Sequence, residues 1–318
     1  MSDTAEPYLR PEARAFLDFL NALNGPPSRE AGVEGARAML VKSRYVADLP
    51  TGEIAVIRDL TCPGPAGDLP LRLYDAQEER GPGPLLIFFH GGGYVLGDLE
   101  SHEPFCASIA RQLDMPVLAV DYRLAPENPF PAGVEDCIAA ARWAAGSPPE
   151  LGRQVTGLVV AGDSAGGNFC IVATLALRDE PAAVPVLAQW PIYPAADPGP
   201  RHPSFDQFAD GYLLSRDSMA WFDECYAPVR DDWRAAPLLK SQAGMPPTMV
   251  LTASADPIRD QGRAYAAALV EAGVTTVFQE ARGNIHGFIN LRKAIPSSDT
   301  DVRKAVEALR LLIEEAQA

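Results

Sequence analysis

Short runs of consecutive apolar residues, separated by stretches of helical period, set the pattern of this chain. LLIFF (85–89), PVLAV (116–120), GLVVA (157–161), PVLAQW (185–190), PTMVLTA (247–253) and VTTVFQ (274–279) each read as a strand. Most are flanked by Gly or Pro, and runs apolar on both pleats suit a sheet covered on both faces. Helical stretches lie between them, among them AGVEDCIAAARWAA (132–145) and RDQGRAYAAALVEAG (259–273). The alternation predicts an α/β fold with a mostly parallel central sheet. Upstream, EIAVIRDLTC and LPLRLYD, parted by Pro63, Gly64 and Gly67, predict two antiparallel strands.

Two stretches break the alternation. The first fifty residues read as two helices. Phe16, Leu17, Phe19, Leu20 and Leu23 give the first an apolar face, Asn24-Gly25-Pro26-Pro27 ends it, and the second covers 30–42. Residues 193–242 open on the Pro-rich YPAADPGPRHPSF and contain an aromatic helix, SRDSMAWFDECYA. That length exceeds an ordinary connection. It reads as an insertion over one end of the sheet, joined by the N-terminal helices.

Composition narrows the function. Of 318 residues, 47% are hydrophobic and 22% charged, as in soluble globular proteins. Lys and Arg number 27 against 42 Asp and Glu, a net charge of −15. That excess argues against nucleic acid and against docking on an anionic membrane. No apolar run is long enough for a spanning helix, and the acidic start lacks the apolar core of a signal peptide. Five scattered cysteines without a CxxC pair suggest neither a metal site nor a disulfide framework, and a reducing, cytoplasmic setting is expected.

The chemistry starts at GDSAGG (162–167), between a predicted strand and a predicted helix. Gly162-x-Ser164-x-Gly166 in that context is a nucleophile elbow, presenting a hydroxyl at a helix N-terminus above the end of the sheet. A trypsin-like reading of this segment fails, because there the His and Asp precede the Ser and the fold is all-β. His90-Gly91-Gly92-Gly93-Tyr94 follows LLIFF. Its glycines let backbone N–H groups face a ligand, and Gly92, Gly93 and Ala165 are assigned to an oxyanion hole. A serine nucleophile needs a base, and there are four histidines. His90 belongs to the glycine loop as a hydrogen-bonding residue. His102 sits at a predicted helix start, capping or exposed, and His202 is expected to be exposed. His286, in GNIHGF after the last strand, is the base. For the carboxylate, Asp256 at the end of PTMVLTA is favoured over Asp260 one helical turn on, because Pro257 keeps Asp256 out of the helix.

HGGGY, DYRLAPENPFPA, GDSAGG, ADPIRDQG and IHGF, in that order across residues 90–288, resemble the motifs of the hormone-sensitive-lipase-like esterases, bacterial family IV. The resemblance implies an α/β-hydrolase fold whose small helical cap is formed by 1–45 and 194–242, with the catalytic domain at 46–193 and 243–318. It implies hydrolysis of small carboxylic esters, mostly with short acyl chains, without cofactor or metal, and it admits a homodimer. Ser164, Asp256 and His286 fall on the family's triad positions, and Gly92, Gly93 and Ala165 on its oxyanion hole. It gives Asp121, Tyr122, Arg123 and Glu127 structural roles, with Arg123 paired to Glu127. Asp163 is expected to bond backbone, and Cys170 to be core. Tyr94, Trp190, Tyr193, Phe205, Phe208, Tyr212, Leu213 and Trp221 are candidates to line the substrate pocket. Two other functions remain open on sequence: amide, lactone or carbamate hydrolysis by the same triad, and ligand binding without turnover. Plant gibberellin receptors resemble the family yet lack the catalytic His; here His286 is present.

Overall fold

The computed structural model describes residues 7–23, 25, 28–198 and 201–318. Asn24, Pro26 and Pro27 of the expected helix stop, and two residues of the Pro-rich segment (199–200), lie outside these. The chain runs through α1 (Pro11–Ala22), α2 (Ser28–Ala47), β1 (Val56–Gly64), β2 (Gly67–Asp75), β3 (Gly83–Phe89), α3 (Glu103–Leu113), β4 (Val117–Val120) and α4 (Ala132–Ala145). It continues with β5 (Val155–Asp163), α5 (Ala165–Asp179), β6 (Val186–Ile192), α6 (Pro203–Gln207), α7 (Arg216–Tyr226), β7 (Thr248–Ala255), α8 (Arg259–Glu271), β8 (Thr276–Ile285) and α9 (Ser297–Gln317). Each predicted strand is present, within a few residues at either end. The helix predicted over 30–42 extends to Ala47 and is broken at Gly32, whose φ of 71° interrupts the helical path. The α9 helix lies beyond the segments that the alternation identified, although Val302, Val306, Leu309 and Ile313 repeat at helical spacing and are buried.

The strands form one sheet in the order β1-β2-β4-β3-β5-β6-β7-β8. β1 with β2 and β2 with β4 are antiparallel; every other pair is parallel. The doubly apolar strands have a direct cause. Leu85, Ile87 and Phe89 of β3 and Leu158 and Val160 of β5 pack on one face, against α4 and α5. The alternate residues, Leu86, Phe88, Val159 and Ala161, pack on the other, against α3 and α9. Both pleats are therefore core. Among the described residues, no helix is long and apolar enough to cross a membrane.

Parallel strands end on a common rim, and their register decides which residues meet there. Phe89 lies beside Gly162, Asp163 beside Ile192, and Ala255 beside Ile285. The next residues along, His90, Ser164, Tyr193, Asp256 and His286, are thus gathered above the carboxyl ends of the strands, where open α/β sheets bind ligands.

Two of the contacts that fasten the N-terminal helices to this body lie at their ends. Near the start of α1, Arg10 N–H donates to Gly283 O at 3.0 Å and its guanidinium holds Asp301 at 2.6 Å. Past the end of α2, Asp48 accepts from Arg292 Nε and Nη2, each at 2.8 Å, with both side chains wholly buried. The N–H groups of Lys293 and Ala294 both donate to Ala47 O. Between these points Arg29 of α2 grips Glu224 of α7 with bonds of 2.8 and 2.9 Å.

A buried ion pair is most damaging when half of it is removed, because the remaining charge is stranded. Asp48→Ala should lower the unfolding free energy by about 3–5 kcal/mol, measured in urea. Replacing both partners, in Asp48→Leu with Arg292→Met, should recover most of that loss.

Candidate active site

Ser164 joins β5 to α5 with φ 56° and ψ −115°, a conformation that non-glycine residues avoid. The turn is possible because glycines stand two residues away on either side. A β-carbon on Gly162 would lie 2.2 Å from Gly166 O, and one on Gly166 would lie 2.0 Å from Phe89 O. Ala165 opens α5, so its N–H has no carbonyl one turn back to bond.

His286 and Asp256 complete a chain of hydrogen bonds. Ser164 Oγ donates to His286 Nε2 at 2.9 Å, and His286 Nδ1 donates to Asp256 Oδ2 at 2.7 Å. Asp256 is fully buried, and its other oxygen accepts from Ile258 N–H at 2.9 Å. This fixes the imidazole tautomer, with Nε2 free to accept a proton. Asp260 is engaged elsewhere, with Ser204 N–H and Arg259.

The glycine loop stands beside the serine. Gly92 and Gly93 have φ of 130° and 61°. The Phe222 ring of α7 packs on Gly93 so closely that a β-carbon there would lie 2.3 Å from it. Tyr94 stacks on Tyr226 with ring centroids 3.9 Å apart. Arg37 of α2 donates to Val95 O and Ala125 O, and pairs with Glu127 at 2.8 Å. His90 Nδ1 donates to Gly91 O at 2.9 Å, and Tyr122 OH to His90 O at 2.6 Å.

Asp163 ties the loop to the elbow. Its Oδ1 accepts from Gly91 N–H at 2.7 Å, and its Oδ2 lies 3.3 Å from the donating Tyr193 hydroxyl. Burial pushes this carboxyl up, but His102, 3.2 Å away, and the Gly91 N–H outweigh it and hold the pKa below its ordinary value.

Several expectations need correction. His102 stands at the N-cap position of α3 as expected, but its side chain makes no capping bond and is not exposed: it is buried between Ser101, Asp163 and Asn290. His202 is half-buried and bonded to Asp197. Arg123 pairs with Asp136 and Glu127 with Arg37, because α4 and α2 each bring a partner closer than the loop itself. Asp163 and Cys170 lie as expected.

A cavity of about 1040 Å³ opens over Ser164 and His286. Tyr94, Phe205 and Leu213 line it, as expected. Trp190, Tyr193, Phe208, Tyr212 and Trp221 do not. Trp190 packs under the sheet with Phe105, Tyr193 lies against His286 and Phe288, Phe208 and Tyr212 pack together, and Trp221 joins the main core. The wall comes instead from Phe222 and from both N-terminal helices. Arg37 and Phe222 carry no local signal in the sequence; only the fold brings them to the loop.

The α/β-hydrolase-fold family matches residues 86–290, a span that contains the glycine loop, the serine, the aspartate and the histidine. The chain belongs to the hormone-sensitive-lipase-like α/β hydrolases. Carboxylic ester hydrolase LipN of Mycobacterium tuberculosis is 40% identical to this hydrolase over 82% of this chain and 72% of its own. An ethyl acetate hydrolase of Pseudomonas putida is 35% identical over 95% of this chain and 98% of its own. Among solved structures, a thermostable esterase from Pseudomonas putida superposes with a TM-score of 0.91 at 30% identity, covering 98% of this chain and 99% of the other. The hydrolase is an enzyme acting on carboxylic esters.

The second histidine of the loop region has a measurable consequence. Burial, with a smaller push from His102, lowers the His90 pKa from 6.5 to about 4. Between those values the unfolded chain binds a proton that the folded one refuses. This contribution to stability is complete above about pH 6.5 and is lost as the pH falls towards 4. Urea midpoints should fall across that interval, and less steeply in His90→Asn.

Proposed function

We propose that the hydrolase is a serine carboxylesterase that cleaves short-acyl esters through an acyl-enzyme. The observation that carries this is the continuous Ser164–His286–Asp256 chain, with bonds of 2.9 and 2.7 Å, facing an open cavity. His286 Nε2 takes the Ser164 proton as Oγ bonds to the ester carbon. The carbonyl oxygen becomes an oxyanion, held by the N–H groups of Gly92, Gly93 and Ala165. As the carbonyl re-forms, the C–O bond to the alcohol breaks, and His286 gives its proton to the departing oxygen. Water then attacks the acyl carbon, His286 takes its proton, and the acid leaves as the serine regains its hydrogen. Asp256 holds the imidazole and stabilises its charged form.

Residues 1–45 and 194–242 act as a cap on a catalytic domain of 46–193 and 243–318. The shared cavity wall and the Arg29–Glu224 pair support this. The Pseudomonas putida relative, an ethyl acetate hydrolase by name, supports small acyl groups. Five free cysteines and the acidic charge support a cytoplasmic enzyme. A triad bonded end to end favours turnover over mere ligand binding.

Ser164→Ala should reduce turnover of p-nitrophenyl acetate by about a millionfold. Asp256→Asn, which releases the tautomer, should lower kcat by about ten-thousandfold. Circular dichroism spectra should stay unchanged. Turnover surviving in the serine variant would remove the nucleophile from this reading.

A further inference from the structure

We infer that the alcohol side of the cavity is a large apolar subsite walled by α1 and α2, so that the preferred substrates are short-acyl esters of neutral alcohols with an extended alkyl or ring body. This rests on Ser164 as nucleophile and His286 as proton donor.

The side on which the alcohol leaves is set by the base. His286 Nε2 must reach the departing oxygen, so the alcohol stands on the His286 side of the serine. The residues around His286 identify the neighbouring wall. Leu213 lies 3.8 Å from where a β-carbon on Gly287 would stand. Ile285, just before the histidine, is buried in one cluster with Ala47 at the end of α2 and with Ala13 and Leu17 of α1; Phe16 packs on it. The N-terminal helices therefore flank the leaving-group side. Across the serine, Phe222 and Tyr226 close over the glycine loop, which confines the acyl side.

The surface of that wall is unusual for a soluble protein. α1 turns Ala13 and Leu17 into the core, yet a second apolar row faces the cavity. Phe19 is 50% exposed and Leu23 60%. Met39 and Val46 of α2, at 48% and 63%, and Leu213, at 45%, line the same cavity. Contiguous exposed apolar side chains mark a surface that a ligand covers. A volume of about 1040 Å³ suits a drug-sized molecule, whereas one as small as ethyl acetate leaves most of it empty. Of the cations lining the cavity, Arg201 and Arg216 are paired with Asp206 and Arg230 with Asp223, and Lys42 of α2 is exposed to solvent.

Two matched ester series test this below their solubility limits. One holds the acetyl group and lengthens the alcohol from ethyl to octyl; the other holds ethanol and lengthens the acid to the same degree. The expected result is a kcat/KM that rises up to about fourfold per methylene in the alcohol series only. Phe19→Ser with Leu23→Ser should reduce the octyl-to-ethyl ratio at least about tenfold, the equivalent of two methylenes. Leu311→Ser, an equally exposed apolar position on α9 away from the cavity, should keep the ratio of the parent. A flat alcohol series, a rise carried by the acyl series, or a ratio unmoved in the double variant would each overturn the subsite. Ethyl acetate turnover that survives Ser164→Ala would instead overturn the triad on which it rests.

Discussion

Holding a serine at φ 56° and ψ −115° costs about 1–3 kcal/mol, and such a residue persists only where its surroundings over-determine it. Here they do so from three directions. The carbonyl of Phe89 presses against Gly166, and Gly162 leaves no room for any side chain. Asp163, next to the serine, is held by the Gly91 N–H and the Tyr193 hydroxyl. The strained turn and the glycine loop therefore share one carboxylate. A shift in either would leave a buried donor or acceptor unpaired, at about 1–3 kcal/mol. The relative placement of Ser164 and the glycine loop follows from this shared anchor.

The sheet supplies the longer-range order. Because β3, β5, β6, β7 and β8 are parallel and in register at their carboxyl ends, residues far apart in sequence arrive on one rim. Ser164 and His286 are 122 positions apart and 2.9 Å apart in space. β3, β5, β6 and β7 are core on both pleats, so a slip of register would move a whole row of buried side chains. The geometry of the site is thereby stabilised by packing energy that has nothing to do with chemistry.

What the sequence revealed and what it hid divide along the same line. The serine turn, the glycine loop, Asp256 and His286 are legible because each is encoded by its immediate neighbours: glycines that permit a turn, a proline that bars a helix, an apolar run that ends. The partners of Arg123 and Glu127 are not local, and the sequence pairs them wrongly for that reason. Aromatic residues mislead in the same way. Trp190 is a candidate for a pocket wall on sequence, yet a strand buries it, whereas Phe222, which no local signal marks, lies on Gly93. His102 is ambiguous in sequence because its partner, Asp163, lies far along the chain at the end of β5.

The two fastenings of the N-terminal segment carry an evolutionary corollary. Arg10 and Asp48 are both clamped to the C-terminal part of the chain, by Asp301 and Arg292. What lies between them is also held midway, where Arg37 bonds Val95 O, Ala125 O and Glu127. Drift at its exposed cavity-facing positions, such as Phe19, Leu23, Met39 and Val46, can remodel the cavity wall without disturbing the strands that align serine, histidine and aspartate. A recombination event with crossovers at those clamps would exchange this part of the cavity wall as a unit, so long as Arg37 and the carbonyls it holds stay matched.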